Sequence, residues 1–354
     1  MNAEPTTARE TSPLPCTSLE RAIIDTLQDD FPLQESPFAT VATRLATEPE
    51  ALLAALNALL ERRMISRFGP LYNVERMGGA VTLAAMQVPK ERFAEVAELV
   101  NAFPEVAHNY ERQNSLNMWF VLATDSLVAQ QHTLEAIAAR CRLPVLNFPK
   151  EREFHIGFRV AVDGDGAART TREAPPRRGE NGKRYAPYVP APEDRAIIRA
   201  TQAGLPLDLH PYHAVAAQTG LTSSLVIARL QAMHEAGVIR RLGVVPNHYG
   251  LGLQANGMTV WDVADEYVAE LGTRIGALAF VTHCYQRPRH LPLWPYNLFA
   301  MVHGRTLAEA EEKRGHIAGL LGSEARAGTM LLSTRILKKD GLRLTTTHAS
   351  PPPC

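Results

Sequence analysis

The sequence predicts an α+β fold in which a winged helix-turn-helix followed by a ferredoxin-like βαββαβ unit occurs twice in tandem. Each half of the 354-residue chain shows short amphipathic helical stripes, then a strand, helix, strand, strand, helix, strand order. The halves also share sequence. Arg21 to Ile24 (RAII) returns as Arg195 to Ile198, 174 positions later. Arg67 to Gly69 (RFG) returns as Arg241 to Gly243 (RLG) at the same offset, so the chain is predicted to be a duplication.

The first copy begins after residues 1–17, a Thr, Pro and Glu-rich stretch that we predict to be disordered. Residues 18–78 are predicted as a helix-turn-helix, with Ser18 as the cap of the first helix, further helices over 37–46 and 49–63, and a strand pair or wing over 64–74. Residues 79–162 are predicted as a ferredoxin-like domain, with strands at 79–88, 106–112, 116–123 and 143–148 and helices at 89–103 and 126–142.

The second copy follows residues 163–192, which are rich in Gly, Pro and Arg and are predicted to be a linker. A second helix-turn-helix is predicted over 193–250, with helices near 193–202, 212–219 and 222–237 and Thr222 as an N-cap. A second ferredoxin-like domain over 251–344 has predicted strands at 252–260, 279–287, 296–303 and 327–336, helices at 263–276 and 306–321, and then a tail over 345–354. Two such units can pair sheet to sheet, which predicts a pseudo-twofold cleft.

The composition argues against nucleic acids and membranes as partners. Lys plus Arg equals Asp plus Glu at 37 each, so there is no overall positive field for DNA, and residues 49–61 of the predicted third helix contain no Lys or Arg. No charged-then-apolar leader or long apolar run opens the chain, and its four cysteines form no CxxC pair. We predict a reduced, cytoplasmic protein without a Cys-rich metal cluster, a membrane span or a DNA partner.

A polar motif occurs once in each ferredoxin-like unit. It reads His, Tyr, Arg, Asn and an aromatic residue, and its members are His108, Tyr110, Arg112, Asn117 and Trp119 in the first unit and His283, Tyr285, Arg287, Asn297 and Phe299 in the second. The period of two in a strand places the first three of each set on one face, where they could form a wall for an anionic, partly apolar ligand. A solvated sheet face is the alternative interpretation.

A second candidate stretch is Arg240 to Gly252, RRLGVVPNHYGLG, in which His248 stands where the first copy has Val74. The arginines of both stretches are candidate carboxylate anchors because a guanidinium offers a planar bidentate fork; they are Arg67, Arg112, Arg240, Arg241, Arg287 and Arg289. Each could equally be a solvated surface charge. Cys284 is interpreted as a packing residue, and the chain contains no GxGxxG, Walker loop, HExxH or nucleophile elbow.

The order of a helix-turn-helix and a βαββαβ unit resembles the AsnC/Lrp regulators. Two copies in one chain, with the stretches AHNYER...NMWF, RRLGVVPNHYGLG and THCYQR...PYNLF, resemble the fused sirohaem decarboxylases of haem d1 biosynthesis over residues 18–344. This resemblance implies a carboxy-lyase that converts two acetate side chains of sirohaem to methyls, giving 12,18-didecarboxysirohaem, with no cofactor beyond the iron tetrapyrrole substrate. It also implies that the helix-turn-helix modules are scaffold, and that a homodimer or other haem d1 pathway proteins are possible partners.

The resemblance and the repeat together assign roles to the candidate residues. We expect His108 and His283 to donate protons, with Tyr110 and Tyr285 as the next candidates. The six arginines and Trp119 are expected to bind substrate, and His248 is expected to contact a carboxylate or to be an axial ligand of the sirohaem iron. Two alternatives stay open at this point: a DNA-binding regulator of the AsnC/Lrp type that senses a small ligand, and a noncatalytic tetrapyrrole carrier.

Overall fold

The computed structural model describes residues 16–164, 167–171 and 188–339. Residues 1–15 of the predicted N-terminal tail, the middle of the predicted linker and the whole predicted C-terminal tail lie outside these ranges. The described residues form the α-helices α1 (Ser18–Thr26), α2 (Pro37–Arg44), α3 (Pro49–Glu61), α4 (Phe93–Asn101), α5 (Leu127–Cys141), α6 (Pro192–Thr201), α7 (Pro211–Thr219), α8 (Ser223–Glu235), α9 (Val268–Gly276) and α10 (Leu307–Leu321).

The predicted strands all occur, in the predicted order, and further strands are present in addition. They are β1 (Ile65–Tyr72), β2 (Ala80–Met86), β3 (Val106–Arg112), β4 (Met118–Thr124), β5 (Leu146–Pro149), β6 (Arg152–Ile156), β7 (Arg159–Val162), β8 (Ala168–Thr171), β9 (Ile239–Pro246), β10 (Ala255–Val263), β11 (Val281–Gln286), β12 (Leu298–Gly304) and β13 (Ala325–Lys339). Of these, β6, β7 and β8 were not predicted. The predicted tandem of helix-turn-helix and ferredoxin-like units is confirmed.

The first helix begins at a capping box one residue before the predicted cap. The Thr17 hydroxyl accepts from the Glu20 amide at 3.2 Å, and the Glu20 carboxylate accepts from the Thr17 amide at 2.8 Å. Ser18, which the sequence predicted as the cap, is instead the first helical residue, because Thr17 supplies the reciprocal bond with an acidic residue three positions on. In the second copy Thr222 is the predicted N-cap of α8, with its hydroxyl accepting from the Leu225 amide at 3.3 Å.

The two helix-turn-helix units form one layer with a shared apolar core. Residues 64–74 were predicted as a strand pair or wing, but this stretch contains the single strand β1 (Ile65–Tyr72), which pairs antiparallel with β9 of the other copy. Gly69 pairs with Gly243, its counterpart in the repeat, so the pseudo-twofold axis passes through this pair. A Cβ at Gly243 would lie 1.9 Å from the Leu27 carbonyl oxygen, and one at Gly69 would lie 2.7 Å from the Leu205 amide nitrogen. The repeated glycine is therefore required by close backbone approach.

The predicted linker contributes to this layer as well. Residues 159–162 and 168–171 form the hairpin β7–β8, and Val160, Val162 and Ala168 are buried in the core of the helix-turn-helix layer. The sequence placed 159–162 in the ferredoxin-like domain and 163–192 in a linker without structure. The structure differs because the short apolar alternation of these strands gains burial only against the helices.

The ferredoxin-like units combine into one nine-stranded sheet in the order β5-β2-β4-β3-β13-β10-β12-β11-β6. The edge strand of each unit pairs with the other unit, β3 with β13 and β11 with β6. The two ends of the sheet, β5 and β6, are consecutive segments separated in the chain by Lys150 and Glu151 alone. The sheet therefore closes on itself, and we call it the barrel.

The barrel has an apolar interior and a helix-covered exterior. Trp119, Phe148, Trp294, Phe299 and Leu331 are among the buried residues of the interior cluster. On the outside, α4 and α5 cover the first unit and α9 and α10 cover the second. Each strand of an antiparallel unit thus has one face toward the interior and one toward a helix.

The two polar strands run in the same direction. Four antiparallel pairings separate β3 from β11, so the strands are parallel to each other and begin at the same end of the barrel. His108 and His283 lie near the strand starts, and Arg112 and Arg287 lie at the strand ends or just beyond. We refer to the first of these ends as the histidine end.

Candidate active site

The repeated His, Tyr and Arg side chains lie on the interior face of β3 and β11. Tyr110 pairs with Trp119 and Tyr285 pairs with Phe299, both interior residues, whereas Asn109 donates to Asn101 of α4 on the outer face. The histidine and tyrosine ring centroids are 6.2 Å apart in each copy. The sequence expectation of one shared face is met in both units.

The third members of the motif, Arg112 and Arg287, each donate a hydrogen bond to a backbone carbonyl of the other copy. Arg112 donates to the Leu331 carbonyl oxygen at 2.6 Å, and Arg287 donates to the carbonyl oxygen of Phe148. Leu331 belongs to the second unit and Phe148 to the first, so each arginine links its strand to the other copy. Burial lowers the pKa of both guanidinium groups to about 10. Their Cζ atoms lie 5.7 Å and 4.9 Å from the ring centroids of Tyr110 and Tyr285, respectively.

Three further residues that were predicted to contact substrate bond to other parts of the protein. Trp119 is fully buried in the barrel interior, with its indole N–H donating to the Leu116 carbonyl oxygen at 2.7 Å. Arg289 lies at the opposite end of the barrel, where it donates to Asp262 at 2.8 Å, to the Pro295 carbonyl at 2.8 Å and to the Val263 carbonyl at 2.6 Å. Arg67 lies in the helix-turn-helix layer and donates to the Gln202 carbonyl oxygen at 2.6 Å. The structure gives all three side chains packing or structural partners.

Three histidines of the second copy meet at the histidine end. The rings of His248 and His303 have centroids 5.4 Å apart, and Phe158 packs against both, at 5.7 Å from His248 and 5.0 Å from His303. His283 lies on the neighbouring strand and connects to His303 through Thr282. His248, predicted from the loop after β9, is thus brought to the predicted His283.

The residues behind His283 form a buried hydrogen-bonded chain. His283 Nδ1 lies 3.0 Å from Thr282 Oγ1, which lies 2.9 Å from His303 Nε2, and His303 Nδ1 bonds to Asn256 Oδ1. The Asn256 amide nitrogen donates to the Leu253 carbonyl oxygen at 3.1 Å. Sequence reasoning missed Thr282, His303 and Asn256.

A comparison of the copies could have found them. The strand register is the same in both units, and it aligns Thr282 with Ala107, His303 with Ala123 and Asn256 with Val81. With Val74 opposite His248, the four polar positions of the second copy are all apolar in the first. The signal that could have identified these residues is a change from apolar to polar at aligned positions in one copy of the duplication.

Burial controls the protonation of these histidines. It lowers the pKa of His248 to about 3 and that of His283 to about 4, and it lowers the pKa of His303 as well. Nearby cations act in the same direction: Lys339 on His248, and Arg240 and Arg241 on His283. The three imidazoles are therefore neutral at pH 7 in the ligand-free protein.

Basic side chains approach the histidine end from both layers. Arg241 donates to the Phe158 carbonyl oxygen at 3.0 Å and lies 3.8 Å from Asp29, while Arg240 lies 3.9 Å from Glu75. Lys339, at the end of β13, lies 5.6 Å from the Tyr249 ring centroid and pairs in register with His108. These cations suit an anionic ligand that carries several carboxylates.

The tyrosines of the motif are weak acids here. Burial raises the pKa of Tyr110 to about 12 and raises that of Tyr285 as well. Both phenols are therefore protonated at neutral pH and can donate a hydrogen bond.

Neither a three-residue metal-ligating group nor an apolar helix of membrane-spanning length occurs among the residues that the structure describes. Among those residues no group of three His, Cys, Asp or Glu side chains is arranged to hold a metal ion. No helix in the described ranges combines the length and the apolar character needed to cross a membrane. His248 could still supply a single nitrogen ligand to iron held by a tetrapyrrole.

The arginine of the third helix in the second helix-turn-helix already has hydrogen-bond partners within the protein. Arg229 of α8 donates to the buried Asp194 carboxylate at 2.7 Å and to the Tyr188 hydroxyl at 3.0 Å. The corresponding helix α3 contains no Lys or Arg. Neither helix therefore offers a free cation to a DNA groove.

Family models match both parts of each repeat. A model described as "AsnC-like ligand binding domain" matches residues 76–155 and 250–338. A model described as "Siroheme decarboxylase NirDL-like HTH domain" matches residues 20–65 and 194–240. These ranges coincide with the ferredoxin-like and helix-turn-helix units of the structure.

Known proteins resemble the chain over most of its length or over somewhat less than half of it. The "Siroheme decarboxylase NirDL subunit" of Paracoccus denitrificans (strain Pd 1222) is 34% identical over 324 residues, which cover 91% of this chain and 96% of that protein. The "Siroheme decarboxylase NirH subunit" of Paracoccus pantotrophus is 60% identical over 156 residues, 44% of this chain and 97% of that protein.

A solved structure agrees with these relatives. The crystal structure of the siroheme decarboxylase NirDL in co-complex with an iron-uroporphyrin III analogue matches with a TM-score of 0.67 and 27% identity, covering 92% of this chain and 93% of that one. Together with the duplicated architecture and the histidine end, these similarities show that the chain belongs to the sirohaem decarboxylase family.

Proposed function

We propose that this chain is a carboxy-lyase that removes CO₂ nonoxidatively from two acetate side chains of sirohaem, giving 12,18-didecarboxysirohaem. The observation that carries the proposal is the meeting of His248, His283 and His303 with Arg240, Arg241 and Lys339 at the histidine end. A polycarboxylate needs cations, and its decarboxylation needs proton carriers, and both are present there. The relatives named as sirohaem decarboxylases support the same substrate.

The reaction requires an electron sink and a proton. Loss of CO₂ from an acetate leaves an electron pair on the methylene carbon, and the tetrapyrrole ring, once protonated, can delocalise that pair. A proton delivered to the carbon completes the methyl group. The protein then needs to bind, orient, desolvate and supply protons, and we propose no cofactor beyond the iron tetrapyrrole itself.

The histidines, the tyrosines and four of the arginines have distinct roles in this proposal. His283 and His108 deliver protons to the two methylene carbons, and Tyr110 and Tyr285 orient the acetates by hydrogen bonds from their protonated phenols. His248 is the candidate axial ligand of the iron or a carboxylate contact. Arg240 and Arg241 are the anchors closest to His283, whereas Arg112 and Arg287 hold the walls in place.

Substrate binding would itself load the histidines with protons. His283 is neutral in the free protein because burial and the nearby arginines disfavour its cation. A carboxylate placed beside it favours the charged form and raises its pKa. Binding of sirohaem at pH 7 should therefore take up protons, which calorimetry in buffers of different ionisation enthalpy would measure.

The subunit names of the relatives suggest partners. Similar proteins carry the names NirDL, NirH and NirG subunits of a sirohaem decarboxylase. We propose that this chain associates with related subunits of the pathway or with a second copy of itself. Size-exclusion chromatography with light scattering, with and without such a subunit, would test this.

Anaerobic incubation of the purified chain with sirohaem, followed by mass spectrometry of the tetrapyrrole, tests the activity. The expected product has lost two molecules of CO₂. Tight binding with an unchanged tetrapyrrole would identify a carrier. Unchanged, unbound sirohaem in the presence of the related subunits would contradict the proposal.

A further inference from the structure

The hydrogen-bonded chain behind His283 has a direction that a backbone carbonyl fixes. The Leu253 oxygen can only accept, so the Asn256 amide nitrogen donates to it and the Asn256 oxygen is left as an acceptor. The His303 Nδ1 atom that bonds this oxygen must then carry its proton. In a neutral imidazole the other nitrogen, Nε2, is an acceptor.

The same logic continues through Thr282 to His283. The Thr282 hydroxyl donates to His303 Nε2 at 2.9 Å, which leaves the lone pairs of its oxygen as acceptors. His283 Nδ1 lies 3.0 Å from that oxygen and therefore carries a proton. Both neutral His283 with Nδ1–H and its imidazolium satisfy the chain, whereas neutral His283 with its proton on Nε2 does not.

The chain is buried and specific to the second copy. Thr282 is 1% exposed, His303 4% and Asn256 6%, so solvent does not compete for these bonds. In the first copy Ala107, Ala123 and Val81 occupy the equivalent positions. Alanine and valine side chains offer no hydrogen bond, so these three residues cannot form the equivalent chain in the first copy.

We propose that Thr282, His303 and Asn256 are positioning residues that fix the tautomer of His283, so that Nε2 is the single atom through which this histidine gains and gives a proton. The inference rests on the proposed decarboxylase function. In the reaction, the bond from the methylene carbon to the carboxylate breaks and its electron pair passes into the tetrapyrrole ring. The His283 imidazolium then gives its Nε2 proton to that carbon as the pair returns. A carboxylate side chain and one proton become a methyl group and CO₂, and His283 returns neutral with Nδ1–H.

The surroundings make a fixed tautomer useful. Charged and titratable groups face His283 from several elements, namely His155 and Glu153 from β6 and Arg240 and Arg241 from β9. His303 is influenced by His248, His283, Lys313 and Lys339. Cations and an anion both act on His283, so the charges of these neighbours do not determine which ring nitrogen holds the proton. The fixed acceptor beside Nδ1, the Thr282 oxygen, does determine it.

Nuclear magnetic resonance can read the tautomer without any turnover. Two-bond ¹H–¹⁵N spectra of ¹⁵N-histidine-labelled protein distinguish the two ring nitrogens, and His283→Gln assigns the signal. We expect the Nδ1–H form in the unmodified protein and loss of this preference in Thr282→Val. The control is Thr259→Val, which removes a buried hydroxyl that bonds the Ala300 carbonyl outside the chain and should leave the His283 signal unchanged.

Kinetics provide the second measurement. In anaerobic single-turnover assays we expect Thr282→Val to lower the rate about tenfold, as for loss of one orienting hydrogen bond, with sirohaem affinity nearly unchanged. Thr282→Ser, which keeps the hydroxyl, should restore most of the rate. A role in folding alone would reduce the amount of active protein without moving the tautomer.

The outcomes separate this inference from the proposed function. His283 in the Nε2–H form in the unmodified protein, or an unchanged tautomer in Thr282→Val, would overturn the inference. If Thr282→Val does not fold, the tautomer of the unmodified protein still decides. An Nδ1–H tautomer in a protein that binds but never decarboxylates sirohaem would overturn the proposed function and leave the tautomer assignment intact.

Discussion

The two copies share a backbone but differ sharply at the histidine end. Strand pairing, the bulge at the start of the polar strand and the buried arginine that links to the other unit all recur. The polar residues His248, Asn256, Thr282 and His303 of the second copy stand opposite Val74, Val81, Ala107 and Ala123 of the first. The duplication therefore kept the residues that build the barrel, and the chain of Asn256, His303, Thr282 and His283 occurs in the second copy. We expect the two acetates to be processed by unequal sites.

The largest expected effect distinguishes the two repeated histidines. His283→Ala should slow decarboxylation by about 10²–10⁴, the usual contribution of a general acid, while sirohaem still binds. His108→Ala should have a smaller effect and accumulate a monodecarboxylated intermediate. A single-turnover time course by mass spectrometry measures both. Equal, full-rate conversion by both variants would remove the histidines from the mechanism and make Tyr110 and Tyr285 the next candidates.

The arginines should instead behave alike in the two copies. Arg112→Met and Arg287→Met each leave a buried carbonyl without its charged donor, so each should lower the free energy of unfolding by about 1–3 kcal/mol in urea titrations. Arg274→Met, at an exposed site on α9, is the control and should change stability by less than about 0.5 kcal/mol. Unchanged stability together with lost sirohaem affinity would support the direct substrate contact that the sequence predicts for these arginines.

Acid stability should also report on the second copy. The folded pKa values of His248 and His283, about 3 and about 4, lie below the ordinary value of 6.5. As the pH falls below 6.5 the unfolded chain takes up these protons first, so each group lowers the free energy of unfolding by about 1.4 kcal/mol per pH unit down to its folded pKa. His248→Val, which installs the first-copy residue, should flatten this slope in unfolding titrations from pH 7 to pH 4.

Two observations would contradict that expectation. The slope could persist unchanged in His248→Val, or it could flatten equally in His132→Val, which alters an exposed histidine on α5 and is the matched control. Either result would assign the pH dependence to groups outside the histidine end.

The smallest expected effect concerns DNA binding. We expect neither helix-turn-helix to bind a DNA duplex. Helix α3 has no cation and Arg229 of α8 is held by Asp194, so fluorescence anisotropy at physiological salt should detect no sequence-selective duplex binding. Nanomolar affinity for one defined sequence over a scrambled duplex would contradict a purely structural role for the helix-turn-helix modules.

Local pattern was enough to predict much of the fold. The repeat offset, the order of helices and strands, and the shared face of His, Tyr and Arg follow from periodicities of 3.6 and two residues. The barrel closure was not predictable, because β6 pairs with β11 more than a hundred residues later in the chain. The hairpin β7–β8 was missed because its composition is that of a linker, and only packing against the helices gives it structure.

The site was predictable in part for a related reason. His283 and His248 stood out in the sequence, and the structure brings them together. Arg112 donates to a carbonyl 219 residues away in the chain, and the bond between Thr282 and His303 joins two residues 21 positions apart on neighbouring strands. Contacts that arise from tertiary pairing leave no local trace, although the comparison of the two copies does reveal the polar substitutions.

The consecutive strands β5 and β6 couple the unfolding of the two units. Strand β5 pairs with β2 of one unit and β6 with β11 of the other, while β13 makes the reciprocal exchange with β10 and β3. Neither unit can unfold without removing an edge strand that pairs with the other unit. The halves should therefore melt in one cooperative transition, with equal calorimetric and van't Hoff enthalpies, although the sequence divides into repeats. Covalent fusion also holds the halves at a high effective concentration, so dilution cannot open the barrel.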